Sequence, residues 1–222
     1  MRARDLLVAA RTKLINGVRS LVKGTGGRIP KCPSSQFTER AHGHMPAEVR
    51  PSVAPLLEMI DELSEQIRCY DETVEHVAQT RYPHTALLKQ VAGVGTLSAL
   101  AFVVTIEDAS RFTRSRDVGC WLGLRPKQQE SGERSPQLRI TQAGDRYLRR
   151  LMVSCAHYIV GPFGPDTDLR RWGLKLCQRG GKNAKKRAVV AVARKLAVLL
   201  HRLWITGEVY EPLRSQRATA AA

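Results

Sequence analysis

The stretch LLKQVAGVGTLSALAFVVTI, residues 87–106, sets two apolar helical runs on either side of Gly93 and Gly95. Ala99 follows four residues after the second glycine, a pattern that matches the hairpin of a helix-hairpin-helix module. Glycines let a backbone approach closely, and the N–H groups opening the second helix can take a phosphate oxygen without reading bases. A tight turn between two packed helices, with no ligand, produces the same letters. Both readings make this part of the chain helical, and the segments on either side extend that reading.

Upstream, the residues after Pro55 repeat as Leu56, Ile60, Leu63, Ile67, Tyr70, Val74 and Val77, alternately four and three apart. This is a heptad seam. Either the helix packs on its own domain, or it pairs with a second helix from this chain or another. Glu58, Asp61, Glu65 and Glu72 flank the seam and should keep the helix away from nucleic acid. It reads as a spacer or dimerisation arm, with self-association expected through residues 56–77. Before it, residues 3–22 form a helix carrying Leu7, Leu14, Val18 and Leu21 on one stripe, and KGTGGRIPKCPSS breaks it. The expected divisions are a basic N-terminal helical arm and linker (1–46) and a coiled-coil-like helix (47–80).

Downstream, residues 86–206 read as one compact helical domain and 207–222 as a tail with a disordered end. Ser110 is placed to cap a short turn before a helix that ends near Gly123. In GGKNAKKRAVVAVARKLAVLLHRLW, the residues Val189, Val192, Leu196, Leu199 and Leu203 recur at three and four. The first turn of that helix holds Lys182, Lys185, Lys186 and Arg187. Cations are unfavourable at a helix N-terminus unless an anion binds there, so the cluster is either a solvated face or a phosphate contact. The predicted fold is thus mainly α, a long heptad (coiled-coil) helix plus a compact helical domain containing a helix-hairpin-helix-like motif.

Charge is distributed unevenly over the 222 residues, whose formal net charge is +16. Residues 1–46 carry nine Lys/Arg against two Asp/Glu, residues 47–80 two against eight, and residues 111–222 twenty-three against eight. An excess of this size points to a polyanionic partner, nucleic acid before an anionic membrane. Cys32, Cys69, Cys120, Cys155 and Cys177 are odd in number and include no C-x-x-C pair, which fits reduced thiols in a cytosolic protein. His42 and His44 follow Cys32 without a fourth ligand, so no metal site is expected there, and Asp5 in its arginine-rich helix is not read as a ligand. His157 and His201 fall in apolar helical stretches and read as structural. No uncharged apolar run approaches the ~18 residues of a membrane span, and the start lacks a signal-peptide core, so a cytoplasmic, nucleoid-associated protein is expected.

Between Gly123 and Leu148 the apolar periodicity lapses, giving a loop or short hairpin that carries Ser131, Gly132, Arg134 and Arg139. ITQAGDRYLRRLMVSCAHYIV then resumes as a helix with Tyr147 or Leu148, Leu151 and Cys155 on one face. A serine hydroxyl is a poor nucleophile that needs activation by a base or metal and cations for the developing charge. Arg134, Arg139, Arg149 and Arg150 could supply the charge, and no base is evident. A helical serine hydrolase is disfavoured by the absence of a G-x-S-x-G elbow and of strand-helix alternation.

The order of these pieces is specific. A G-V-G hairpin, RFTRSRDVGCWLGLRP, a serine-glycine pair, RITQAGDRYLRRLMVSCA and KNAKKRAVVAVARKLA together resemble the C-terminal part of transposases of the insertion-sequence one-hundred-and-ten family. That family includes pilin-gene invertases and bridge-RNA-guided recombinases, and the resemblance runs from about residue 1 to residue 212. It implies that Ser131 is a catalytic nucleophile that links transiently to a DNA phosphate, with Gly93, Gly95 and the basic residues in a nucleic-acid-handling domain. It also implies DNA as partner and a guide (bridge) RNA as a further one. Family members carry a RuvC-like domain with four metal-binding acidic residues, and this chain begins where that domain ends. The expectation is a chain truncated and inactive alone that binds no cofactor itself, Mg2+ entering only with a separate RuvC-like domain. The alternative is a non-catalytic nucleic-acid-binding remnant.

Overall fold

In the computed structural model, residues 1–129 and 138–214 are described, and they form two compact units that divide between His76 and Val77. Helices account for the secondary structure of both, and the described residues contain no strand beyond one isolated bridge.

The first unit is organised around α1 (Arg2–Gly24), α2 (Phe37–Gly43) and most of α3 (Arg50–Arg81). Arg4 Nε donates to Asp71 Oδ1 at 2.5 Å and Arg11 Nη1 to Ser64 Oγ at 3.1 Å. Those contacts step seven residues forward on α1 and seven back on α3, so the two helices run antiparallel. The heptad helix therefore has a partner within its own chain. Ile15, Val18 and Val22 share a core with Phe37, Ala41, Met45, Val53, Leu57 and Ile60. The residues read as a separate basic arm and the start of the heptad helix are thus one packed body.

The buried side of α3 differs from the expected seam. Ile60, Ile67 and Val74, seven apart, are buried as the repeat requires. Their expected companions are not: Leu56, Leu63 and Val77 are half-buried and Tyr70 is exposed, while Val53, Leu57 and Ala78 are fully buried instead. Val53 and Leu57 lie on the other side of the Ile60–Ile67–Val74 line because α1 and α2 approach from there. The helix also starts five residues before Pro55, with Pro51 in its first turn, where no intrahelical N–H bond is required. On α1, Leu21 is 49% exposed, and Ile15 and Val22 take the interior positions beside Val18.

In the second unit, the Gly93–Gly95 turn joins α4 (Thr85–Lys89) to α5 (Thr96–Ile106). α5 buries Ser98 through Val103 and Ile106, so it is interior on nearly every side. α6 (Ser115–Trp121) and α7 (Arg146–Val160) flank the serine-bearing segment, and α8 (Asp168–Cys177), which the sequence reading passed over, follows. α9 (Ala184–Thr206) packs against α4, α6, α7 and α8 and is the central post of the unit. Its interior row is Val189, Val192, Leu196, Leu200 and Leu203, with Leu199 half-buried. On α7, Met152 rather than Leu151 joins Leu148 and Cys155 inside. Ser110 does not cap its turn: Asp108 does, accepting from Ser110 N at 2.8 Å and from Ser110 Oγ at 2.6 Å. The hydroxyl interaction holds the Asp108 carboxyl below its ordinary range. The described part of the tail is tied down, with Asp168 N donating to Pro212 O and Tyr210 N to Gln90 Oε1, each at 2.8 Å. Residues 215–222 lie outside the described residues.

Candidate nucleic-acid interface

The segment after α6 leaves the helical body and returns to it through paired backbone. Lys127 N donates to Arg139 O and Thr141 N to Arg125 O, both at 2.9 Å, around an antiparallel bridge between Pro126 and Ile140. Gln142 N adds a bond to Gly123 O at 3.1 Å. This is the base of a hairpin. Ser131, Gly132 and Arg134 fall between its legs, in residues 130–137, outside the described residues.

Three features fix that base to the helices. Gly123 and Gly144 adopt φ of +69° and +71°, and a methyl group on either would collide with backbone, 2.3 Å from Ala143 O in one case and 2.1 Å from Trp121 O in the other. Only glycine permits the two legs to cross this closely. Asp145 caps α7, its Oδ1 accepting from Leu148 N at 2.6 Å. Arg149 then reaches back one turn, and its Nη1 donates to Leu122 O at 3.1 Å and Ala143 O at 2.6 Å, one carbonyl on each leg. Arg149 was a candidate for charge stabilisation at the reacting phosphate. The structure engages it as a clamp on the hairpin base, because two carbonyls converge where a guanidinium can reach both.

The remaining basic candidates among the described residues face outward. Arg139 is exposed on the hairpin, and Arg150 is exposed on α7 with its guanidinium 5.2 Å over the Tyr147 ring. Lys182, Lys185, Lys186 and Arg187 are all exposed at the start of α9, whose cap residue Asn183 makes no side-chain bond there. Gly95 has open space where a side chain would stand and precedes the first turn of α5. Gly93, at φ +90°, instead lies against α7, where a Cβ would come within 2.8 Å of Tyr158 and 3.3 Å of Cys155 O. One glycine serves packing and the other leaves backbone open.

Sequence reading missed a groove beside the hairpin. Trp172 and Leu176, one turn apart on α8, face Ile140 of the hairpin and Val190 and Ala191 of α9 across a space of about 960 Å³. The available signal was the apolar spacing of Leu169, Trp172, Gly173 and Leu176 in DLRRWGLKLC.

Two other reactive side chains of this unit are held in its interior. Cys155 is buried, its Sγ donates to Ser98 Oγ at 3.4 Å, and burial pushes its thiol up from its ordinary range, which opposes thiolate nucleophilicity. His201 is buried with both ring nitrogens engaged, Nδ1 with Ser115 Oγ at 3.0 Å and Nε2 with Ala109 O at 2.9 Å, so it is a structural histidine. His157 is exposed. Among the described residues no three His, Cys, Asp or Glu side chains are grouped to hold a metal ion, so these residues do not fit a Mg2+ site. No described helix is long and apolar enough to cross a membrane.

Comparison with known proteins agrees with this organisation. Residues 85–168, from α4 to the start of α8, match the family described as Transposase IS116/IS110/IS902. A probable family 20 transposase of Pseudomonas aeruginosa is 31% identical over 95% of this chain and 64% of its own length. The transposase for insertion sequence element IS1111A of Coxiella burnetii is 30% identical over 95% of this chain and 58% of its own. The transposase for insertion sequence element IS1328 of Yersinia enterocolitica is 30% identical over 70% of this chain and 47% of its own. The chain thus spans less than two thirds of the length of these relatives. Their similarity covers the hairpin, its glycine crossing and α7, and the chain belongs to the IS116/IS110/IS902 family of transposases.

Proposed function

We propose that this chain acts in DNA transposition, binding nucleic acid through its second unit and using Ser131 as the nucleophile for strand exchange. The observation that carries this reading is the hairpin base, whose two backbone legs are locked by Gly123, Gly144 and Arg149 and are joined in sequence by the segment that holds the serine-glycine pair. A nucleophile needs a position repeatable to a fraction of an ångström, and the clamp gives the segment's two described legs a fixed base.

The reaction is a transesterification. Ser131 Oγ attacks phosphorus, a serine-phosphate ester bond forms, one phosphorus-sugar oxygen bond breaks, and the hydroxyl proton ends on the released sugar oxygen. Strand exchange is the same step reversed with a different sugar hydroxyl. Arg134, Arg139 and Arg150 are assigned to the growing negative charge on the phosphate. Lys182, Lys185, Lys186 and Arg187 hold flanking backbone, and the first turn of α5 after Gly95 offers N–H groups to a further phosphate. A guide RNA is a second polyanion that this surface has the charge to take.

The test is Ser131→Ala in a system competent for transposition by this family. The covalent protein-DNA adduct and strand exchange should both vanish while DNA affinity stays unchanged, because the hydroxyl supplies reactivity and not binding. Strand exchange that persists in the variant would return Ser131 to the status of a turn residue in a basic hairpin.

A further inference from the structure

The groove walled by the hairpin, α8 and α9 combines two properties that duplex DNA alone does not call for. Its floor is apolar: Leu124, Ile140, Leu176, Val190 and one side of Trp172 line it. Its edges are cationic: Arg139, Arg179, Lys186, Arg187, Arg194 and Lys195 line the same space, no Asp or Glu does, and no ion pair occupies any of the six among the described residues. Lys195 holds its ammonium 4.5 Å over the Trp172 ring, which adds positive charge directly beside the apolar floor. The volume of about 960 Å³ lies within the ~300–1,000 Å³ span of small-ligand sites.

A duplex shows its phosphates outward and keeps its base faces stacked inside. Phosphates would satisfy the rim and leave the floor empty. An apolar metabolite would satisfy the floor and leave six cations unanswered. An unpaired nucleotide has both a flat apolar face and a phosphate within one residue, which is the pairing that binding channels for single strands exploit. Lys186 and Arg187 also stand in the first turn of α9, where their charges oppose the helix dipole until an anion arrives.

We propose that this groove binds unpaired nucleotides of a DNA strand, a base against Trp172, Leu176 and Ile140 and its flanking phosphates on the cationic rim. The proposal rests on the nucleic-acid-binding reading above and adds to it a preference for single strands over duplex and a location. Because Ile140 and Arg139 belong to the leg that follows Ser131 in sequence, a strand held here rests against that leg.

The experiment is a titration of the full chain with an oligothymidylate of about 12 nucleotides, within the ~4–16 nucleotides a single-strand site spans, against a duplex of equal length. The single strand should bind more tightly. Trp172→Ala should weaken it about tenfold, the loss of one stacked base, and leave duplex affinity unchanged. Ala191→Trp, which fills the groove from α9 without deleting a contact, should do the same, so a folding defect in the first variant leaves the proposal testable. Lys186→Gln combined with Arg187→Gln should weaken both ligands. Duplex binding with no single-strand preference, or a single-strand preference untouched by both groove variants, overturns the groove assignment while sparing the general reading. Tighter binding of oligouridylate than of oligothymidylate overturns the commitment to DNA. A fall in sedimenting mass of the free protein on Trp172→Ala or Ala191→Trp would show that a second copy occupies the groove and would likewise overturn it. Binding of neither nucleic acid would remove the parent reading as well.

Discussion

The two units handle charge in opposite ways. Residues 1–76 hold eleven Lys/Arg against ten Asp/Glu, and several are paired internally: Arg4 with Asp71, and Arg68 with Glu65 and Glu72. Hydrogen bonding to Arg68 holds the Glu65 carboxyl below its ordinary range. Residues 77–222 hold twenty-five against ten. Their basic residues gather at the hairpin, the start of α9 and the groove, which among the described residues no acidic side chain lines. A unit that answers its own charges has no electrostatic reason to hold a polyanion, whereas one with unanswered cations carries a self-repulsion that a bound polyanion relieves. Net charge read over the whole chain would hide this division.

The strongest way to break the comparison is to collapse one unit and ask whether the other still works. Ile60 is fully buried in the first unit's core, so Ile60→Asp should destabilise that unit by more than about 4 kcal/mol, the cost of an unpaired buried charge. Nucleic-acid affinity should survive, because the binding charges lie elsewhere. A matching loss of affinity would show that the first unit contributes directly. The heptad pattern suggested Ile60 as an interface residue between chains; its burial makes it a folding residue instead.

Next in size is the removal of charge from the second unit. Replacing Lys182, Lys185, Lys186 and Arg187 together by glutamine should lower the slope of log affinity against log salt by up to about three to four, at roughly 0.9 for each phosphate contact on duplex DNA. An unchanged slope would make the cluster a solvated face and blur the contrast between the units.

A smaller effect separates charge from architecture within the second unit. Arg149→Ala removes two hydrogen bonds at the hairpin base and leaves Leu122 O and Ala143 O short of a donor, costing about 1–3 kcal/mol of stability, with strand exchange falling more than binding. Arg149→Lys should restore less than half of it, since both bonds come from Nη1 and the lysine ammonium ends one bond short of that position. A drop confined to binding would return Arg149 to the phosphate-contact class.

The smallest effect concerns self-association through residues 56–77, which we retain as a proposal on a different surface. Met59 is 51% exposed and lines a shallow apolar groove with Leu14, Leu21, Leu56 and Leu63. Met59→Lys should shift stability by no more than about 0.5 kcal/mol while weakening any oligomer that sedimentation detects. Wild type and variant sedimenting alike as monomers would confine the partners of α3 to its own chain.

Much of this architecture was legible because helical periodicity is a local property. The rows on α9 and α7, the glycine turn before α5 and the hairpin between α6 and α7 all follow from spacing and from residues that stop helices. α8 was missed because only four apolar or small positions mark its inner side, and its companions in packing, such as Val160 and Val192 against Gly173, belong to other helices. The clamp formed by Arg149 was illegible for a related reason. An arginine in a basic run looks like a phosphate ligand until two carbonyls from residues 122 and 143 are seen to converge on it.

The sequence by itself determined the helical class, the concentration of positive charge after residue 110, and the ordered motifs that led to the transposase family. These depend on which residues are present and on their local spacing, so no partner had to be known. Only the tertiary structure decided which side of the heptad helix is interior. Successive residues on a helix point about 100° apart, so Leu56 and Leu57 flank the same Ile60–Ile67–Val74 line, and α1 and α2, arriving from one side, bury Leu57 and leave Leu56 at the margin. The groove at Trp172 was decided in the same way: its walls come from three segments brought together by α9, and a cavity is a property of the space between elements, which no single stretch of sequence contains.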